Sequence, residues 1–233
     1  MVRQHMVRLA STFFLLIFLV SQSFGQSYGN SHPFDFKKFN LGFLMGLTYN
    51  GYNLKEQINV VDDGIVLNRI TKVPKYGINL GIISNYNFAK QVNLRFVPTI
   101  SLEQRDFNYL FANDSLVVRK IEASYLNLPI MFQFKTKYYK AVRMYVLAGG
   151  QIGFNLSSNK KVINDDNLLK ISTHDISLNF GFGFNLYGDR IKLSPEIMYS
   201  LGVINIYQPE HTSHAYAIQR LSSQVISFNI NFE

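Results

Sequence analysis

Apolar residues in this chain recur at every second position over long runs, and that periodicity leaves few folds open. In residues 39–50, Phe39, Leu41, Phe43, Met45, Leu47 and Tyr49 fall on one face. Asn40, Gly42, Leu44, Gly46, Thr48 and Asn50 fall on the other. Successive side chains of a β-strand point to opposite faces, so the run predicts a strand with one greasy side and one mostly small or polar side. The alternation returns in residues 75–87, 91–106, 122–135, 142–156, 175–187, 190–204 and 222–232. In residues 176–186 the contrast is sharpest: Ile176, Leu178, Phe180, Phe182, Phe184 and Leu186 oppose Ser177, Asn179, Gly181, Gly183 and Asn185. Eight strands are therefore predicted. Most exceed the usual globular length of about five or six residues and reach the roughly 9–11 that cross a membrane at a tilt.

The connections between these strands alternate long and short. The long ones span residues 51–74, 107–121, 157–174 and 205–221, and the short ones are Phe88–Lys90, Thr136–Ala141 and Gly188–Asp189. Outer-membrane barrels have an even number of antiparallel strands, short periplasmic turns and longer extracellular loops. The expected fold is thus all-β, an eight-stranded antiparallel up-and-down transmembrane β-barrel in the outer membrane with both termini periplasmic. Tyr49, Tyr76, Tyr86, Tyr109, Tyr138, Tyr139, Tyr187 and Tyr207 lie near predicted strand ends, where aromatic girdles belong. Composition fits: 16% of residues are charged, against about 25% in average soluble domains. The mean hydropathy of +0.02 averages a lipid-facing half and a polar half. The alternative is a soluble lipocalin-like barrel or sandwich with its greasy face inside. Such a fold would carry charges outside, whereas the second faces here are mostly Asn, Ser, Gly and Thr. Pro98, Pro129 and Pro195 fall inside predicted strands. Each removes a ladder donor, so bulges or local gaps are expected there.

Residues 1–25 read as a secretory signal peptide. Arg3 and Arg8 precede the apolar stretch 9–20, and Ser23 and Gly25 stand at −3 and −1 before Gln26. The stretch is shorter than the roughly 20 apolar residues a spanning helix needs. The expected organisation is a leader at 1–25 cleaved between Gly25 and Gln26, a short periplasmic segment at 26–38, and the barrel at 39–233. The absence of cysteine excludes disulfides, thiolate catalysis, cysteine zinc sites, iron–sulfur clusters and a lipoprotein anchor. Cleavage would take the net charge from +8 to +6. Along the chain that excess reads as scattered, with no dense basic patch to suggest nucleic acid.

An eight-stranded barrel has an interior just wide enough to be filled by side chains, so a diffusion pore is not expected. Arg95, Glu103, Arg105, Arg143, Lys192 and Glu196 fall on inward positions and form the candidate lumen network. The third and seventh strands face each other across such a lumen, which predicts a contact between Arg95 and Glu196, shared with Arg143. Chemistry elsewhere is weakly signalled. His211 and His214 lack a third metal ligand, and Asp62-Asp63 and Asp165-Asp166 are too sparse for calcium. His174, Asp175 and Ser177 could be assembled into a hydrolase reading, but nothing in their spacing fixes the geometry. No catalytic, cofactor or metal site and no small-molecule substrate are expected.

Particular strings resemble the PorT family of Bacteroidetes outer-membrane proteins. They begin at Phe34 to Phe39 and Gly42-Phe43 and continue through Leu94 to Pro98, Glu103-Gln104-Arg105 and Tyr109. They include Glu122 to Pro129, in which Tyr125, Leu126, Leu128 and Pro129 form a motif shared with the broader superfamily. Tyr145 to Gly150, Gly181 to Phe184, Tyr187, Lys192 to Glu196, Ser200 to Gly202 and Phe232-Glu233 complete the resemblance, which covers most of the mature chain. It implies an eight-stranded outer-membrane barrel needed for protein export by the type IX secretion system and, in gliding species, for motility. The implied partners are outer-membrane lipid and other envelope proteins of that system. The family carries no established catalytic residues, so none are transferred.

Overall fold

The structure, a computed structural model, describes residues 37–56, 61–62, 65–111, 116–139, 141–156, 172–188, 190–206 and 218–233. Within the strands, the side chains of residues 54–73, 104–123 and 218–220 lie outside the description. The described residues form ten strands: β1 (Phe39–Glu56), β2 (Val61–Asp62), β3 (Ile65–Ala89), β4 (Val92–Phe96), β5 (Thr99–Phe111), β6 (Leu116–Lys135), β7 (Val142–Asn155), β8 (His174–Tyr187), β9 (Lys192–Gly202) and β10 (Ile218–Phe232). β2 is a two-residue ribbon on the start of β3. β4 and β5 are one stave broken at Val97-Pro98, since both pair with β3 and with β6. Eight antiparallel staves remain. β1 pairs with β3 on one side and with β10 on the other, which closes the sheet.

Closure satisfies the backbone donors and acceptors that lipid cannot. At the seam, Phe43 stacks on Phe232 with ring centroids 4.8 Å apart. The prolines produce gaps and no bulges. Pairing of Phe96 with Ile130 and of Thr99 with Asn127 keeps one register across Val97-Pro98. The proline carbonyls still accept there, Pro129 from Val97 at 3.3 Å and Pro98 from Ile82 at 3.1 Å. Pro195 keeps its register with Ile230, while the β8–β9 ladder is interrupted between Glu196 and Leu193.

The strands run beyond the predicted boundaries. β1 to Glu56 and β3 from Ile65 take up most of the predicted loop 51–74, and β5 with β6 takes up most of 107–121. Above the lipid a hairpin needs no greasy face, so alternation stops while the ladder continues. Loop residues such as Asp63, Asp165, Asp166, Tyr207, His211 and His214 lie outside the described residues, as do the N-terminal residues 1–36 with His32, Gly25 and Gln26.

The outside of the barrel is apolar and the inside mostly polar. Leu41, Leu47, Ile82 and Val146 are 55–63% exposed. Asn50, Asn85, Asn179, Asn229 and Asn231, at inward positions of β1, β3, β8 and β10, have no exposed surface. Phe39 pairs with Tyr86 at one rim and Tyr49 with Tyr76 near the other. Ten residues separate the two pairs, which spans ~25 Å along the axis at a 35–45° tilt, the height of an outer-membrane apolar band. Tyr49 lies 5.6 Å from Tyr76, and Tyr139 is exposed at the short-turn end. Tyr187 departs from its predicted girdle role: it is 3% exposed and packs 5.2 Å from Tyr138. The side chain of Tyr109 lies outside the description.

Candidate functional site

Inward residues build the lumen in layers, and a charged cluster lies below mid-height. Arg95 leaves β4 and donates from Nη1 to Glu196 Oε2 at 2.8 Å, across from the seventh stave. Its Nη2 donates to Glu233 Oε1 at 3.3 Å and its Nε to Asn85 Oδ1 at 3.0 Å. Lys192 Nζ lies 2.8 Å from Glu233 Oε2, which also accepts from Asn85 Nδ2. Glu196 accepts further bonds from Tyr145 OH at 2.9 Å, Asn231 Nδ2 at 3.2 Å and Asn229 Nδ2 at 3.4 Å. The order is thus Glu196, Arg95, Glu233, Lys192: two cations and two carboxylates with no net charge. A buried ion costs several kcal/mol unless it is paired and hydrogen-bonded, and here each charge meets a partner of opposite sign.

The other predicted network residues sit elsewhere. Arg143 does not share the Arg95–Glu196 contact. Its Nε and Nη2 donate to the carbonyls of Thr136 at 2.7 Å and Lys90 at 2.8 Å, and its guanidinium lies 4.6 Å from the Tyr138 ring. It ties two short connections together, because its strand position lies beside the turn. Glu103 is inward and 8% exposed, nearer the long-loop end. The side chain of Arg105 lies outside the description, and its backbone pairs with Pro74 and Ile121. Of the motif residues, Tyr125 is buried and inward, Leu126 and Leu128 are partly exposed, and Pro129 is buried opposite Val97. Sequence reasoning left out Asn85, Tyr145 and Glu233 as cluster members. Their signal was parity: Glu233 continues the inward series Ser227, Asn229, Asn231 of β10.

An apolar layer stands between this cluster and the long-loop end. Leu44, Ile83, Val97, Met131, Leu147 and Met198 pack together inside the barrel with Tyr145. Of the Leu, Ile, Val and Met residues here, only Leu44 was read on a small or polar face, so a filled lumen was expected but an apolar layer within it was not. A cavity of about 40 Å³ remains, lined among others by Asn79, Glu103, Gln151, Ser177 and Ser200. At ~10–15 Å³ each it holds about three waters, which is far too little for a solute path.

Gly183 is what admits Tyr145 to the cluster. A Cβ there would stand 2.6 Å from the Pro195 carbonyl and 2.6 Å from the Tyr145 hydroxyl. Gly183→Ala is expected to drive Tyr145 off Glu196 and to destabilise the barrel by about 1–3 kcal/mol, as overpacking does. Urea unfolding of the refolded variant checks this, and an unchanged midpoint contradicts the packing described.

The hydrolase reading of residues 174–177 does not survive the geometry. His174 is exposed and meets the Phe154 ring edge-on at 5.3 Å, while Ser177 is 3% exposed and inward. Residues three apart on a strand face opposite ways, so the two cannot cooperate. Among the described residues no group of three or more His, Asp or Glu is placed to hold a metal ion.

A closed antiparallel barrel that is apolar outside and packed with a mostly polar interior is an outer-membrane β-barrel. The family model described as "Outer membrane protein beta-barrel domain" matches residues 21–208, and the chain belongs to that family. No curated protein matches the chain. Matches among solved structures include Neisserial surface protein A, at 7% identity, covering 84% of this chain and 97% of that one, TM-score 0.45. OprG of Pseudomonas aeruginosa is 13% identical over 82% of this chain and 94% of its own, TM-score 0.47. Ail, the attachment invasion locus protein of Yersinia pestis, solved with the heparin analogue sucrose octasulfate, is 13% identical over 84% and 99%, TM-score 0.35.

Proposed function

We propose that this outer-membrane barrel is a non-catalytic accessory of type IX protein secretion, and of gliding where that occurs, acting through contacts with other envelope proteins. The PorT-like strings, from Leu94–Pro98 to Lys192–Glu196, support the pathway. The observation that carries the mode of action is the filled lumen, whose cavity of about 40 Å³ leaves no route for cargo. Cargo then passes elsewhere, and this barrel contributes its wall, rims and hairpins. In this reading residues 1–25 are a leader cut before Gln26, residues 26–38 lead into β1, and both ends of the barrel chain face the periplasm. Arg95, Glu103, Arg143, Lys192 and Glu196, with Arg105, act as the structural interior that keeps the wall rigid.

Deleting the gene tests the reading. Retention of type IX cargo and loss of gliding, both restored by the intact gene, are expected. Continued export with normal gliding contradicts it. An altered lipid A profile in the mutant would point instead to a lipid-modifying enzyme. A second reading, a general surface barrel that binds outside the cell, is favoured by one observation. β3 has 25 residues and β6 has 20, against 11 for β9, so the hairpins on one side extend furthest at the long-loop end.

A further inference from the structure

The net charge of this chain is sorted along the barrel axis in a way that its total hides. The sequence holds 23 Lys and Arg against 15 Asp and Glu. In the sequence, the stretches 53–75, 103–122, 156–175 and 203–221, which include the long connections, hold eleven of each sign. The lumen pair Arg95 and Glu196 adds one of each sign. Among the described residues the short-turn end carries Lys37, Lys38, Lys90, Lys135, Lys137, Arg143, Arg190 and Lys192 against Glu233 alone. The excess that reads as scattered along the sequence is therefore gathered at one rim.

Five of those cations, Lys37, Lys38, Lys90, Lys137 and Arg190, are exposed. Among the described residues none of these five side chains has a hydrogen-bond or ion-pair partner. They are spread around the circumference. Lys37 and Lys38 lead into β1, Lys90 lies between β3 and β4, Lys137 between β6 and β7, and Arg190 between β8 and β9. Each short connection thus carries one. Beside them the apolar wall ends in exposed Phe39, Tyr86, Phe88 and Tyr139, with Tyr86 and Phe88 edge to face at 4.9 Å. A ring of cations just past an aromatic girdle lies at headgroup depth all round the barrel. A patch built for one protein partner would be gathered on one side.

We propose that this rim binds the phosphate headgroups of anionic phospholipids in the leaflet that borders the short turns. The inference rests on the membrane placement of the barrel and is independent of the secretion reading. A cation near an anionic lipid surface strengthens binding by roughly fivefold.

The test uses the full-length mature chain, folded in neutral detergent and offered phosphatidylglycerol or phosphatidylcholine, with retained lipid counted by native mass spectrometry. Preferential retention of phosphatidylglycerol is expected, weakening with salt. In the variant K37Q/K38Q/K90Q/K137Q/R190Q, retention should fall about fivefold or more. These side chains are exposed, so the variant should fold, and heat-modifiable gel mobility verifies it. A control variant that removes five long-connection cations (K55Q/K75Q/K160Q/K161Q/K170Q) should retain lipid like the parent. Equal retention of both lipids, or equal loss in the control variant, overturns the proposal. So does displacement of the lipid by soluble polyglutamate at equal charge, which would assign the rim to an acidic protein.

Discussion

Replacing Arg95 with methionine is expected to destabilise the barrel by about 3–5 kcal/mol, the cost of leaving buried charge without its partner. Two carboxylates depend on that guanidinium. Glu196 loses its 2.8 Å ion pair, and Glu233 loses one of two cations. Glu196→Gln should cost less, about 1–3 kcal/mol. Arg95 would still reach Glu233, and the amide oxygen can still accept from Tyr145 or Asn231. The order of the two effects discriminates more than either size. Urea titration of folded and unfolded gel bands measures both. If the two variants unfold with the parent, the cluster does not hold the lumen together. If Glu196→Gln is the worse, Glu233 is not an Arg95 partner.

The lipid-facing wall gives the second large effect. Leu80 lies midway between the rims and is 51% exposed, and Tyr76 lies at the long-loop rim and is 80% exposed. An arginine on the lipid face of such a barrel costs about 2–4 kcal/mol at the midplane and about 0–1 kcal/mol near an interface. Leu80→Arg should therefore destabilise the vesicle-embedded barrel strongly, and Tyr76→Arg should hardly matter. Were the same wall bathed in water, both substitutions would fall within roughly 0.5 kcal/mol of the parent. Equal, small effects would thus return the chain to the soluble-barrel alternative.

Period-two alternation made the wall legible, because lipid on one side and a packed lumen on the other enforce opposite chemistry on consecutive residues. It reported eight staves and nearly all inward positions from residue parity alone. It failed where that pressure stops. The hairpins of β1–β3 and β5–β6 continue past the membrane edge without a greasy face, so residues such as Lys55 and Ile65 were assigned to loops. The Arg95–Glu196 contact could be inferred from stave count and height above the turns. The destination of Arg143 could not, since it depends on two turn carbonyls whose positions only the folded chain sets. The apolar layer of Leu44, Val97, Met131 and Met198 was hidden for another reason. Parity says that a residue faces inward and says nothing of which inward residues meet at one height. The pathway proposed above rests on resemblance alone, which no spacing could supply.

Closure of the barrel is the claim on which the rest stands, and a cysteine pair tests it most directly because the native chain has none. Leu47 on β1 and Phe228 on β10 are register partners at the seam, and both side chains face outward. In the variant L47C/F228C, mild oxidation of isolated membranes should join the two strands within one chain. Heated without reductant, the linked chain should run as a more compact looped species than the parent, and reductant should abolish the difference. Failure of this pair to join, while L47C/I78C between β1 and β3 joins readily, would mean an open sheet and contradict the account.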